Sequence, residues 1–184
     1  VGRQHLPAVM QYTPSRIPGA WIIDITPIHD SRGFFAMTWL PADLRERGMN
    51  PALVQCNLAF NHKRGTLRGM HFQAAPHAQA KIVRATRGAL LDVIVDLRPD
   101  SPTFTQWDAV ELTADNRRMF YMPEGVAHGY ITLADDTEAS YQVSSPWVKA
   151  SEGGVRWNDP AFGIAWPFDP VVISERDANW PDYR

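Results

Sequence analysis

Short apolar segments separated by turn-forming residues run through most of the chain, and only one stretch has the character of a helix. Trp21-Ile-Ile-Asp-Ile-Thr26 and Gly33-Phe-Phe-Ala-Met-Thr-Trp39 read as strands, followed by 53–60, 65–73, 79–87, 89–97, 104–112, 117–122, 128–133 and 137–144. Gly88, Arg98-Pro-Asp-Ser-Pro102, Thr113-Ala-Asp-Asn116 and Ala134-Asp-Asp136 punctuate them as turns. Pro41-Ala-Asp-Leu-Arg-Glu-Arg-Gly48, with proline at its start and glycine past its end, is the one short helix. Many short strands with little helix predict an all-β sandwich or barrel. The 184 residues read as a single domain. Residues 1–20, proline-bearing and without a sustained period, are expected to form an N-terminal arm, and 146–184 to wrap the barrel.

Strand parity sharpens one element. In Leu91-Asp-Val-Ile-Val-Asp-Leu97 the odd positions are all apolar, while Asp92, Ile94 and Asp96 share the other face. The odd face is expected to pack between sheets. The other face either meets solvent or lines a polar interior.

Composition removes several function classes. A hydrophobic fraction of 45% and seven tryptophans argue against disorder, and a net charge of −2 gives no basis for general nucleic-acid binding. Cys56 is the sole cysteine, so neither an intrachain disulfide nor a cysteine-based zinc site can form, and it reads as a small core residue. No apolar run reaches the roughly 18 residues of a membrane span, and Val1-Gly-Arg-Gln lacks the layout of a secretory signal, so a soluble cytoplasmic protein is expected. Fifteen of the 18 basic residues are arginine, the better bidentate match to phosphate.

Two segments carry the candidate chemistry. Arg64-Gly-Thr-Leu-Arg-Gly-Met-His-Phe-Gln73 sets His71 among arginines, with Lys81 eight residues further on. Met122-Pro-Glu-Gly-Val-Ala-His-Gly129 delivers His128 behind a tight turn. Together they suggest a barrel mouth that binds an anion and moves protons. An imidazole titrating near neutrality serves as a base, and a carboxylate on its far nitrogen fixes its tautomer. A lysine facing a carbonyl oxygen stabilises an enolate, and a tyrosine on the opposite side returns the proton. His71, Lys81 and Tyr141 are the right types on neighbouring predicted strands. Arg68 and His71 are three apart and face opposite sides of a regular strand, so a bulge at Gly69 is expected if they share a cavity.

The turn Pro123-x-Gly125-x-x-His128 resembles the second sequence motif of the cupin superfamily, double-stranded β-helix (jelly-roll) barrels. The superfamily's His-x-His metal motif is absent from His71-Phe-Gln73-Ala-Ala-Pro-His77, which implies a barrel without its metal. A metal held by His71, His77 and His128, in a cupin oxygenase or isomerase, stays open as the alternative. So does a noncatalytic binding or structural barrel.

From about Asp24 to Asp182 the chain resembles the dTDP-4-dehydrorhamnose 3,5-epimerase family, on several blocks in order. These are Asp30-Ser-Arg-Gly-Phe-Phe35, Gln55-Cys-Asn57, Gly65-Thr-Leu-Arg-Gly-Met-His-Phe-Gln73, Lys81-Ile-Val-Arg84, the run 88–98, Ser101-Pro-Thr-Phe104, Pro123-Glu-Gly-Val-Ala-His-Gly129, Arg156-Trp-Asn-Asp-Pro160 and Ile173-Ser-Glu-Arg-Asp177. The resemblance implies a cupin-type jelly roll with short peripheral helices that epimerises a 4-keto-6-deoxy nucleotide sugar at C3, C5 or both. It implies His71 as base, Asp177 as its orienting acid, Lys81 at the enolate oxygen and Tyr141 as the opposite acid. Arg32 and Arg68 match diphosphate-binding arginines, with Arg32 reaching into a neighbouring subunit. His128 matches a position beside the phosphates, Gln55 and Asn57 positions near the nucleotide, and Phe35 and Trp147 further substrate-binding positions. No metal or organic cofactor and a homodimer are implied. Two departures bear on specificity: Met37 replaces a glutamate in Phe34-Phe-Ala-Met37, and Trp147 replaces a second tyrosine, leaving nucleotide preference and single-carbon epimerisation open.

Overall fold

A computed structural model describes residues 10–184. Its strands are β1 (Met10–Pro14), β2 (Trp21–Ile25), β3 (Ile28–Asp30), β4 (Gly33–Phe35), β5 (Gln55–Asn61), β6 (Thr66–Gln73), β7 (Lys81–Arg87), β8 (Ala89–Asp96), β9 (Trp107–Thr113), β10 (Met119–Met122), β11 (Val126–Thr132), β12 (Thr137–Val143), β13 (Glu152–Gly154) and β14 (Val172–Ile173). Two short helices, α1 (Pro41–Glu46) and α2 (Glu175–Ala178), lie outside them. One six-stranded sheet runs β1-β2-β10-β7-β12-β5; the other runs β13-β6-β11-β8-β9, with β14 added in parallel to β6. From β5 to β8, and again from β9 to β12, successive strands alternate between the two sheets, which makes the barrel a jelly roll.

Burial divides into three layers. Between the sheets lie Val83, Ala85, Phe120, Met122 and Ala139 from one side and Leu90, Ile94, Val110, Leu112 and Val126 from the other. Helix α1 and the segment after it cover the outer face of the first sheet, with Leu44 and Met49 packed on Ile23, Ile82 and Met119. The C-terminal segment covers the second sheet, where Val155 and Phe162 bury Met70, Val93, Val95 and Ala127.

This layering corrects the parity reading. The odd apolar face of β8, Leu91 to Leu97, packs beneath the C-terminal segment and not between the sheets. The even face turns inward, so Ile94 joins the inter-sheet core and Asp92 is wholly buried. A sheet sandwiched between a second sheet and a wrapping tail has two buried faces, so alternation alone does not say which face is which. Gly33–Trp39 is also shorter than expected: only Gly33–Phe35 pair, with β3, and Trp39 and Leu40 leave the hairpin to join the layer around α1. Cys56 is exposed on β5, on its outward face, not in the core. Of the expected arm, residues 1–9 lie outside the described residues. Met10–Pro14 pairs with β2, and Ile17 and Ala20 are buried in the inter-sheet core.

Candidate active site

Regular strand geometry would send Arg68 and His71 to opposite faces, yet both line one cavity. His71 stands opposite His128 and Arg68 opposite Tyr130, so three steps along β6 match two along β11. Gly69 occupies this bulge at φ +135°, a backbone conformation that side-chain-bearing residues rarely adopt. A Cβ there would stand 2.5 Å from the Gly129 Cα and 3.0 Å from the His128 carbonyl oxygen, so the close approach of β6 and β11 also requires glycine. The bulge expected at this position is present, and it aims both side chains inward.

The cavity measures about 720 Å³ and opens between the sheets. On its β6 wall, His71 Nε2 lies 2.7 Å from Asp177 Oδ1. Asp177 sits in the first turn of α2, where Ser174 caps the turn by accepting the Asp177 N–H. Its second oxygen accepts the Gly69 N–H at 3.2 Å. Burial alone would raise the Asp177 carboxyl; the hydrogen bond and charge of His71, the Gly69 N–H and Arg176 outweigh it and hold the group below the usual carboxylate range. A carboxylate there accepts the Nε2–H and leaves the His71 Nδ1 lone pair as the available base.

Tyr141 and Lys81 come from the other sheet, on β12 and β7, whose register sets Tyr141 beside Val83 and Lys81 beside Val143. Burial pushes the Tyr141 phenol up, with Arg68 partly offsetting it, so it holds its proton at neutral pH. Burial lowers Lys81 to about 8, while Asp92 and Glu152 pull the other way. Both side chains line the same cavity as His71.

A second histidine–carboxylate pair stands next to the first. His128 Nε2 is 2.7 Å from Asp92 Oδ1, and the other oxygen of this buried carboxylate has no hydrogen-bond partner among the described residues. Burial lowers His128, as do Lys81 and His71, against the raising effect of Asp92.

Arg68 is fixed by Asn61, whose Oδ1 accepts the guanidinium Nε–H at 2.8 Å and whose amide donates to the Thr137 carbonyl. Trp147, 53% exposed, lies at the rim and also lines an adjoining recess of about 190 Å³ with Gln55 and Asn57. Gln55 donates to Asn57 at 2.7 Å and accepts the Trp147 N–H. Arg32 and Phe35 do not reach the cavity of their own chain. They project on the β3–β4 hairpin, where Arg32 pairs with Asp30 at 2.6 Å. Met37, two residues after that hairpin in the chain, is half-buried and lines neither space. His77 is outside the large cavity as well, bonded to Ser151 Oγ, so His71, His77 and His128 do not converge. Among the described residues no group of three His, Cys, Asp or Glu side chains is arranged to hold a metal.

Asp92, Glu152 and Arg176 were missed by motif reading. Asp92 was legible as a polar residue on the even face of β8, but its partner was not. Glu152 lines both spaces and pairs with Arg176 at 3.0 Å, in a tail whose irregular sequence gives no periodic signal. No helix among the described residues is long and apolar enough to cross a membrane.

Residues 14–184 match the family model described as dTDP-4-dehydrorhamnose 3,5-epimerase. A curated enzyme of that name from Sinorhizobium fredii is 43% identical over 153 residues, covering 83% of this chain and 78% of the relative. The crystal structure of dTDP-4-dehydrorhamnose 3,5-epimerase from Elizabethkingia anophelis is 36% identical with a TM-score of 0.91, covering 95% of this chain and 97% of that one. A Legionella pneumophila dTDP-6-deoxy-D-glucose-3,5-epimerase, solved in complex with dTDP-4-keto-L-rhamnose, is 34% identical with a TM-score of 0.85, covering 92% and 90%.

Proposed function

Since the chain belongs to the dTDP-4-dehydrorhamnose 3,5-epimerase family, we propose that it inverts C3 and C5 of a 4-keto-6-deoxy sugar carried on dTDP, with His71 as base and Tyr141 as acid. The observation that carries the reading is one cavity with a carboxylate-braced imidazole on one sheet and a protonated phenol on the other. Inversion needs a proton removed from one face of a carbon and returned to the opposite face, and two groups on facing walls meet that requirement.

A 4-keto group acidifies the hydrogens on C3 and C5. His71 Nδ1 takes one of them, and Asp177 stabilises the imidazolium that forms. Negative charge then develops on O4, where the Lys81 ammonium is the available donor. Tyr141 delivers its proton to the far face, and the two groups exchange protons with solvent before the next carbon. Arg68, locked by Asn61, binds the diphosphate beside His128, so that binding energy far from the reacting carbons positions the sugar. Gln55 and Asn57, in the adjoining recess, take the nucleotide side. Incubating the protein with dTDP-4-dehydro-6-deoxyglucose and reading ring proton couplings by NMR tests this directly. Axial–equatorial inversion at both carbons is expected; inversion at one alone narrows the reading to a single-carbon epimerase, and at neither removes it.

A homodimer belongs to the same proposal. The β3–β4 hairpin exposes Phe35 (69%), and Leu58 is 63% exposed on the edge strand β5. The Arg32 side chain, 87% exposed, projects from that hairpin away from its own cavity. A second copy would cover these apolar groups and bring Arg32 to the neighbouring diphosphate. Arg32→Ala is then expected to raise KM about tenfold with kcat little changed, in a protein sedimenting as a dimer. A monomer with full activity contradicts the shared site.

A further inference from the structure

His71 is not the only imidazole whose Nε2 is committed to a carboxylate. His128 Nε2 donates to Asp92 Oδ1, and its Nδ1 has no protein partner among the described residues while the ring lines the cavity. In the neutral tautomer that Asp92 selects, Nδ1 carries a lone pair. A phosphate oxygen is also an acceptor, so the two cannot hydrogen-bond unless a proton is added. We propose that the His128–Asp92 pair takes up one proton from solvent when a nucleotide diphosphate enters and returns it when the ligand leaves, so that the site binds the anion together with a proton. The inference rests on the reading above that the cavity takes a nucleotide-diphosphate sugar.

The surroundings favour an unprotonated ring before the ligand arrives. Asp92 on β8 is wholly buried, and its unshared oxygen has no donor among the described residues. His71 on β6 stands directly across the register from His128, and Lys81 on β7 faces it from the other sheet. Tyr130 lies two residues along β11, its ring 6.4 Å away, and Arg68 and Tyr141 line the same cavity. Burial and the nearby Lys81 and His71 oppose a charge on His128, and Asp92 alone supports it. A diphosphate adds negative charge at the face that lacks it. The ring then becomes an imidazolium held between Asp92 and phosphate, donating from both nitrogens.

Calorimetric titration with dTDP-glucose tests this. That compound has no 4-keto group to react and no phosphate titrating near neutrality. At pH 7, in buffers of different ionisation enthalpy, uptake of about one proton per site is expected, with Kd rising about tenfold per pH unit above neutrality. In His128→Asn the uptake is expected to vanish while binding persists, because the amide still donates to phosphate. In Asp92→Asn uptake is also lost and binding weakens; if that variant does not fold, the other two titrations still decide. Binding with no proton uptake by the wild type, or uptake undiminished in His128→Asn, overturns the inference and leaves the substrate reading standing. Failure of dTDP-glucose to bind at all removes both.

Discussion

Replacing His71 with alanine is expected to lower kcat by about 10²- to 10⁴-fold and to stop hydrogen exchange between the substrate's ring carbons and solvent. The size follows from what remains in the cavity. The His128 ring has its Nε2 committed to Asp92, and its other nitrogen is assigned to phosphate. Lys81 is half-buried and, at about 8, still mostly an ammonium at neutral pH. Tyr141 is pushed up by burial and keeps its proton. None of these offers a basic lone pair at the position of His71 Nδ1, so the alanine variant retains binding without abstraction. Single-turnover proton exchange followed by NMR, alongside Kd for dTDP-glucose, separates the two. A variant that loses binding together with exchange would assign His71 to the ligand's grip and not to its chemistry.

The second large effect is expected at Lys81. Removing the ammonium in Lys81→Met takes away the donor facing the enolate oxygen, a loss of about 10²–10³ in kcat for a preorganised oxyanion contact. Its titration gives an independent handle. Burial is the dominant cause lowering Lys81 to about 8, with Asp92 and Glu152 opposing it. The cation is the useful form, so wild-type kcat, read at saturating substrate where the pH dependence of binding drops out, falls as pH rises through about 8, and the contribution of Lys81 is retained below it. A pH–rate profile of wild type against Lys81→Arg checks this, since a guanidinium stays charged and removes that limb. A basic limb that persists unchanged in Lys81→Arg would assign it elsewhere.

The fold was largely legible because its strands carry their own signals. Segments such as 66–73 and 89–96 are bounded by glycine and turn residues and are long enough to read within one or two residues. The bulge was legible too, because Arg68 and His71 could share a cavity only if Gly69 broke the alternation. What sequence did not carry was pairing over distance. Asp92 reaches His128 across 36 residues with nothing local to announce the partner, and Asp177, 106 residues from His71, was named as its partner by the family resemblance alone and not by any local signal. The orientation of β8 was misread for a related reason: the tail that buries Leu91 to Leu97 has tryptophan and proline but no period. Met10–Pro14 shows the same limit, since an edge strand bearing a proline has weak local preference and is held by its register with β2. The exposed hairpin around Arg32 was legible as a motif, yet among the described residues the side chain of Arg32 hydrogen-bonds only to Asp30.

Tyr141→Phe, assayed in deuterium oxide, probes the division of labour between the two walls most directly. With the phenol gone and the imidazole intact, His71 should still remove a ring hydrogen and hand back deuterium from the side it came from. The expected result is label at C3 or C5 of recovered substrate with configuration retained and product formation largely lost. Inverted product at the wild-type rate, or loss of exchange as complete as in His71→Ala, would contradict a mechanism in which base and acid work from opposite sheets.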